Sequence, residues 1–354
     1  VALAVLYQGK NLPYHFGIYA VVNLASWCLI CQYGYFSPFA RPTPSGILSL
    51  VITIVFFLAR SYSLWKSKRL LSDDQKMYDD LWRSLSETED GKAGVEHLGK
   101  VVQMIGIDKK NDWRQTNRMR ADRQAAKLEQ DKCLSQDAAS HTVHPIFSDL
   151  CSWTMPNRRD PNMKIASFNQ LYCAASIANL LLIERLEEWA ESANGMFQVN
   201  NGRKEPEFVR WADAKHDLEL VSKLKRPVLK RHGRATEKLI RSYANDLSLL
   251  LDLARQSLVF ESMADLTTCL GIISTDSNVR VERIKNRLDP TYNSDDTAGY
   301  RDVCVNLRVV SSLAQALGVE IHMCEVQLLL REYAALRSAD GHKRYVQGRN
   351  DRGV

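Results

Sequence analysis

The first 72 residues contain no aspartate or glutamate, and this feature constrains the fold of the 354-residue chain more than any other. Asp73 is the first acidic residue. The basic residues before it are Lys10, Arg41, Arg60, Lys66, Lys68 and Arg69. These six account for the whole formal charge of +6, so the rest of the chain is neutral. A pI near 8.8 would suggest a nucleic-acid partner, but a neutral body predicts none.

Two uncharged stretches lie within this segment, residues 11–40 and residues 42–59. A helix that spans a bilayer needs roughly 20 apolar residues, and residues around Tyr62 and Trp65 could extend the shorter stretch. Residues 36–46 hold three prolines and a glycine, which is typical of a short connection between helices. We therefore predict a transmembrane helical hairpin over residues 1–72. The alternative is a buried helical hairpin of a globular core.

The basic residues that follow the second stretch predict the orientation of this hairpin. Positive charges favour the cytoplasmic side of a membrane, which here means the cytosol, stroma or matrix. The prediction is an integral membrane protein with two spans and its body on that side, in an organellar inner membrane or a thylakoid. The expected partners are then the lipid bilayer and other subunits of a membrane complex.

Residues 73–165 predict a helical and irregular connecting segment. Ser72 is a suitable cap for a helix that carries Tyr78 and Trp82 on its apolar side, and a polar helix is expected over residues 112–132. The eight cysteines are scattered, which favours reduced thiols. Two groups could suggest a redox pair or a zinc site, but helix packing and loop positions explain them better. These groups are Cys28 with Cys31, and Cys133 with His141, His144 and Cys151.

Residues 166–354 predict a second domain with a leading core helix. The helix is expected over residues 168–192, and its largely apolar stretch of thirteen residues from 171 to 183 is too short to span a bilayer. Residues 223–241 then hold eight basic side chains and one acidic one. Clustered cations suit a triphosphate, although a solvated basic helix face explains the same pattern.

Four strands are predicted after this basic run, at residues 250–260, 279–287, 299–309 and 322–328. In the last strand, Glu325 and Gln327 alternate with apolar residues, so they share one face of the sheet while the other face is apolar. The predicted fold class is α+β: a two-helix transmembrane hairpin, a helical middle segment, and a mixed sheet flanked by helices.

The order of these motifs over residues 215–350 resembles the nucleotidyltransferase fold of the RelA/SpoT-type (p)ppGpp synthetases. The resemblance implies that a basic helix holds ATP phosphates, that a tyrosine stacks on the acceptor guanine, and that a Glu-x-Gln strand supplies the catalytic carboxylate. The nucleotide-binding residues that it implies are Lys230, Arg231, Arg234, Lys238, Arg255, Lys285, Tyr300, His342 and Tyr345.

The same resemblance implies that Glu325, Gln327 and Asp252 are catalytic and that Asp252 and Glu325 bind Mg²⁺. The sequence also departs from the family. The metal-binding aspartate normally stands five residues before the arginine, where this chain has Leu250, and Asp252 stands three before Arg255. The Gly-Tyr-Arg motif continues with Asp302-Val-Cys instead of Ser-Leu-His, and no hydrolase domain is visible.

Three functions stay open from the sequence. The first is a membrane-anchored enzyme of guanosine tetraphosphate metabolism that transfers pyrophosphate from ATP to GDP or GTP. The second is a module that binds nucleotide without turnover. The third is a catalytically degenerate fold that acts as an accessory or scaffold subunit of a membrane complex.

Overall fold

The computed structural model describes residues 44–107, 167–202, 206–226, 228–337, 341 and 344–348. These residues fall into two compact units. One comprises the described residues of 1–76 and 338–354, and the other is Met77–Arg337. The predicted first span, the polar helix at 112–132 and both groups of cysteines and histidines considered above lie outside the described residues.

The helix α1 (Pro44–Glu87) corrects the prediction of a transmembrane hairpin. Among the described residues, no helix is long and apolar enough to cross a membrane. This finding contradicts the predicted location as an integral membrane protein with two spans within the described residues, and the first of those spans lies outside them. Ser72 lies inside α1, so the helix start predicted there is also wrong.

The first unit is held together by polar contacts between α1 and the carboxy-terminal residues. Arg344 donates two hydrogen bonds to the carboxylate of Asp74, at 2.8 and 2.6 Å. The buried hydroxyl of Ser67 donates to the carbonyl oxygen of Gly348 at 2.9 Å. A Cβ atom at Gly348 would lie 2.6 Å from a methyl group of Leu71, so a larger residue there would displace that side chain.

The second unit alternates short helices and strands. Its further helices are α2 (Glu89–Ile105), α3 (Phe168–Ser192), α4 (Trp211–Ala214), α5 (Leu218–Ser222), α6 (His232–Tyr243), α7 (Met263–Thr275), α8 (Ser312–Ala316) and α9 (Arg331–Leu336). Its strands are β1 (Met196–Val199), β2 (Glu207–Arg210), β3 (Arg255–Phe260), β4 (Val279–Asn286), β5 (Val303–Val309) and β6 (Cys324–Leu330).

The six strands form one mixed sheet in the order β2-β1-β3-β6-β5-β4. The central strands β3 and β6 are parallel, and every other neighbouring pair is antiparallel. The predicted mixed sheet flanked by helices is therefore present.

Helices α3 and α7 pack on the apolar face of the sheet, and α2 packs on α7. Leu182, Leu258, Leu266, Val305 and Val326 are fully buried in this core. Each buried side chain of this size contributes roughly 1.5–3 kcal/mol relative to exposure. This core fixes the opposite face of β3 and β6 as the one that is free to hold polar groups.

Most predicted element positions agree with the structure, and the start of β3 does not. The long core helix spans Phe168–Ser192, as predicted. The strand predicted from Leu250 begins only at Arg255, because residues Leu247–Leu249 form a 3-10 turn. Asp246 stabilises that turn by accepting a hydrogen bond from the backbone N–H of Ser248 at 2.9 Å. Asp252 consequently lies before the strand and not within it.

Candidate functional site

Strand β6 has one apolar side and one polar side. Cys324, Val326 and Leu328 are fully buried, whereas Glu325 and Gln327 are only partly buried. This alternation confirms the facing that the sequence predicts for these residues. The carboxylate and the amide therefore lie together on the face opposite the core helices.

The register of the sheet places further polar residues beside Glu325. Glu325 pairs with Arg255 of β3 and with Asn306 of β5, and Asn306 pairs with Arg283 of β4. Directly paired residues point to the same face of a sheet, with Cβ atoms about 5 Å apart between neighbours. One row across four strands thus contains two guanidinium groups, a carboxylate and an amide.

A second row runs beside the first. Gln327 pairs with Ser257 of β3 and Cys304 of β5, and Cys304 pairs with Lys285 of β4. We call these eight residues of the two rows the polar face. A bulge between Val281 and Arg283 makes this arrangement possible, because the extra residue shifts Arg283 and Lys285 to the polar side of β4.

The residue in the bulge, Glu282, forms a buried ion pair. Its carboxylate accepts a hydrogen bond from Nε of Arg308 at 3.2 Å, and both side chains are almost fully buried. A guanidinium N–H of Arg308 also donates to the carbonyl oxygen of Ile321. This pair fixes the bulge and therefore the side of β4 on which the cations lie.

Glu325 has an open carboxylate. Within the described part of the chain, its side chain forms no hydrogen bond and no ion pair. It is close enough to Arg283 and Lys285 for its charge to raise the pKa of both groups. In each case burial has the larger effect and lowers the pKa, and for Lys285 the neighbouring Arg283 lowers it further. The polar face is thus a partly desolvated site in which cations outnumber the carboxylate.

Asn306 presents a donor that no described residue satisfies. Its side chain is only 1% exposed, and its Nδ2 atom has no hydrogen-bond partner there. A buried amide donor without an acceptor costs about 1–3 kcal/mol, so it is expected to find a ligand or water oxygen. Its position between Glu325 and Arg283 places that demand in the centre of the polar face.

Asp252 lies in a different environment, which we call the lysine cluster. One of its oxygens, Oδ2, accepts hydrogen bonds from Lys230 and from Lys238, the latter at 2.9 Å. Despite the cost of burial, these two cations hold the pKa of the Asp252 carboxyl well below its usual range. Burial lowers the pKa of Lys230 to about 8, against the opposing effect of Asp252. The second oxygen, Oδ1, is buried without a partner among the described residues.

The four basic residues predicted to bind ATP phosphates lie in two different environments. Lys230 and Lys238 point at Asp252, and Lys238 also lies over the ring of Tyr243 at 5.1 Å. Arg234 pairs with Glu237 on α6, while Arg231 is exposed at the start of that helix. The structure therefore does not bring the four predicted phosphate-binding residues to one open surface.

Tyr300 is packed among aromatic rings of its own unit. Its hydroxyl donates to Asp302 at 3.0 Å, and Asp302 is fully buried and paired with Arg287. Burial raises the pKa of Tyr300 well above its usual value. Its ring meets Tyr78 edge to face at 5.9 Å.

The last two predicted site residues are His342 and Tyr345. His342 is outside the described residues, and Tyr345 belongs to the other compact unit.

Four residues of the polar face were missed at the sequence level: Arg283, Asn306, Cys304 and Ser257. Their neighbours Lys285 and Glu325 were predicted. A period of two through β4 places Arg283 and Lys285 on one side, but the bulge decides which side, and the sequence does not reveal the bulge. Asn306 and Arg308 are the two polar residues in the otherwise apolar strand β5, and a polar residue there was the available signal.

The two predicted metal ligands differ in their fit to Mg²⁺. Mg²⁺ usually binds one or two carboxylates and completes its shell with water and phosphate oxygens. The open carboxylate of Glu325 fits such a role. Asp252 fits it less well, because the two lysines hold Oδ2 and leave only the buried Oδ1 for a metal. The described residues contain no group of three or more histidine, cysteine, aspartate or glutamate side chains that could hold a metal without a ligand's help.

Comparisons with known proteins add little to this geometry. No protein-family model matches the chain, and no curated protein matches it. Among solved structures, a chain from the crystal structure of the complex between the Type VI effector Tas1 and its immunity protein is similar to 51% of this chain and 73% of its own length. The sequence identity is 16% and the TM-score is 0.30. A likeness of this degree supports no conclusion about fold or activity.

Proposed function

We propose that the polar face binds a nucleotide through its phosphates. The observation that supports this most is the row of Arg255, Glu325, Asn306 and Arg283, with Lys285 beside it. Guanidinium and ammonium groups in a partly desolvated site are the usual partners of phosphate oxygens. The unsatisfied amide donor of Asn306 adds a neutral contact of the same polarity.

Glu325 gives this proposal its chemical direction. A carboxylate amid three cations would normally close into ion pairs, yet Glu325 forms none with the described residues. We propose that it holds a Mg²⁺ ion that arrives with the nucleotide phosphates, where the ion would neutralise phosphate charge. Gln327, two residues along the same face, would orient a hydroxyl or a phosphate oxygen by hydrogen bonding.

The reaction we propose is pyrophosphoryl transfer from ATP to GDP or GTP. The acceptor hydroxyl oxygen forms a bond to the β-phosphorus of ATP, the bond from that phosphorus to the α,β-bridging oxygen breaks, and AMP leaves. The hydroxyl proton passes to Glu325 or to water. Arg255, Arg283 and Lys285 would stabilise the charge that develops on the transferred phosphates.

The lysine cluster favours a second candidate, a module that binds nucleotide without turnover. With Asp252 paired to Lys230 and Lys238, only one carboxylate is open on the polar face. A transfer site with one metal ligand fewer loses much of its transition-state stabilisation. Binding requires only the cations and the amide.

One experiment tests both candidates. The purified chain is incubated with radiolabelled ATP, GDP or GTP and Mg²⁺, and products are separated while thermal unfolding is followed with each nucleotide. The enzyme predicts a pyrophosphorylated guanine nucleotide and AMP in equal amounts, and the binding module predicts a raised Tm without product. Neither product nor a shift in Tm would contradict both. For a variant of Glu325, Glu261→Gln is the matched control, because Glu261 forms an exposed pair with Arg331 away from the polar face.

A further inference from the structure

Asp252 uses a single oxygen to hold two ammonium groups. Oδ2 contacts Nζ of both Lys230 and Lys238, and all three side chains are largely buried. The cluster therefore has one positive charge in excess, and Asp252 is the counter-ion on which both lysines depend. A buried like-charge pair of this kind is stable only while its carboxylate is present.

Both lysines are also fixed at their other ends. The backbone N–H of Lys230 donates to the carbonyl oxygen of Leu253 at 3.1 Å, and its own carbonyl oxygen accepts from the hydroxyl of Tyr172 at 3.1 Å. Lys238 emerges from the middle of α6 and lies against Tyr243. The two ammonium groups thus have defined positions beside Asp252, which stands three residues before Arg255 and the start of β3.

A metal ion at Asp252 would conflict with this arrangement. Mg²⁺ would bring two further positive charges to a cluster that already has an excess, and these charges would repel both ammonium groups. The remaining oxygen, Oδ1, is buried and approached by no described donor, so it offers one ligand atom at most.

We infer that Asp252 is a positioning residue that fixes Lys230 and Lys238 beside the polar face, and that it is not a metal ligand. The part of this inference that concerns phosphate binding by the lysines rests on the proposed function. The part that concerns the cluster itself does not, and it is tested first and without nucleotide.

The first test compares thermal unfolding of Asp252→Asn and Glu325→Gln in EDTA with no nucleotide. Asp252→Asn leaves two buried ammonium groups without a counter-ion, so its Tm should fall by about 10 °C. Glu325→Gln is the matched control and should change the Tm by no more than about 2 °C, since its carboxylate forms no hydrogen bond or ion pair with a described residue. The double variant Asp252→Asn/Lys230→Met restores the charge of the cluster and should recover at least half of the loss. An unchanged or raised Tm for Asp252→Asn would overturn the inference, because the two lysines would then not depend on this carboxylate as their counter-ion.

The second test measures the affinity of a non-hydrolysable ATP analogue with Mg²⁺ and again in EDTA. The ratio of the two affinities reports how far binding depends on the metal. We expect Asp252→Asn, or the double variant if the single one unfolds, to keep the wild-type ratio within about twofold, while Glu325→Gln lowers it about tenfold or more. A ratio that falls as much for Asp252→Asn as for Glu325→Gln would overturn the inference. If the wild-type chain binds no nucleotide, the proposed function fails, and the first test still decides the role of Asp252.

Discussion

Asp252 and Glu325 are two carboxylates near the beginning of the parallel strands β3 and β6, and their surroundings are opposite. Asp252 is closed, because two lysines hold one of its oxygens. Glu325 is open, because no described side chain pairs with it although cations lie on both sides. A carboxylate near the start of a strand is therefore not by itself evidence of a metal ligand. Asp252 stabilises its two lysines, and Glu325 remains available to a bound metal ion or nucleotide.

The largest loss of stability is expected at a second carboxylate that is buried and paired. Asp302 is fully buried, pairs with Arg287 and accepts from Tyr300 at 3.0 Å. Asp302→Asn leaves the guanidinium of Arg287 buried without its partner, and we expect a loss of about 3–5 kcal/mol of unfolding free energy. Urea unfolding measures this loss. Asp213→Asn in the short helix α4 is the control, because Asp213 is exposed, and an equal loss there would contradict the contrast between closed and exposed carboxylates.

The open carboxylate should show the reverse behaviour. If transfer activity is found, Glu325→Gln should lower its rate about 10²–10³-fold while unfolding free energy stays within about 0.5 kcal/mol of the wild type. Initial rates of product formation and urea unfolding measure the two quantities on the same preparation. A variant that loses stability and activity together would show that Glu325 is closed in solution.

Single cations of the polar face should have an intermediate effect. Lys285→Met removes one ammonium group from the row beside Glu325, and we expect about tenfold weaker binding of ATP, since a hydrogen bond to a charged group contributes about 1.5–3 kcal/mol. Calorimetric titration measures it. Lys223→Met is the matched control, because Lys223 forms an exposed pair with Glu219 on α5 and should leave the affinity unchanged.

The smallest effect concerns His322, which precedes Glu325 by three residues and is buried. Burial, with a smaller effect from Arg308, lowers the pKa of His322 to about 3. The unfolded chain, with a pKa near 6.5, binds more protons between these values, so the stabilising contribution is present above about pH 6.5 and is lost as the pH falls.

From pH 6 to pH 5 we therefore expect a loss of about 1 kcal/mol that His322→Leu removes. Urea unfolding at the two pH values measures it. The exposed His97 provides the control, since His97→Leu should keep the wild-type loss. A wild-type curve that is flat over this range would contradict the buried neutral state of His322.

The sequence predicts the alternating faces of β6 and the long helix α3 well, because each depends on a local period that burial enforces. It fails at the amino-terminal segment, where uncharged composition favours a membrane span but no described helix is long and apolar enough to cross a membrane.

The candidate site was predicted only in part for a related reason. Glu325, Arg255 and Lys285 lie on one face, and the resemblance implied one site for them, whereas the residues themselves reveal only the strand period. The pairing of Asp252 with Lys230 and Lys238 was not predictable, because it depends on where β3 begins and on how α6 packs against the segment before it. Both are tertiary features that a pattern of residue types does not contain.

The most direct test of nucleotide binding at the polar face is a crystal structure of the chain with a non-hydrolysable ATP analogue and Mg²⁺. We expect phosphate oxygens within about 3 Å of the side chains of Arg255, Arg283 or Lys285. We also expect a metal ion bound to Glu325, with Asp252 still paired to its two lysines. Nucleotide bound away from the polar face, or a metal ion held by Asp252 after the lysines have moved, would contradict it.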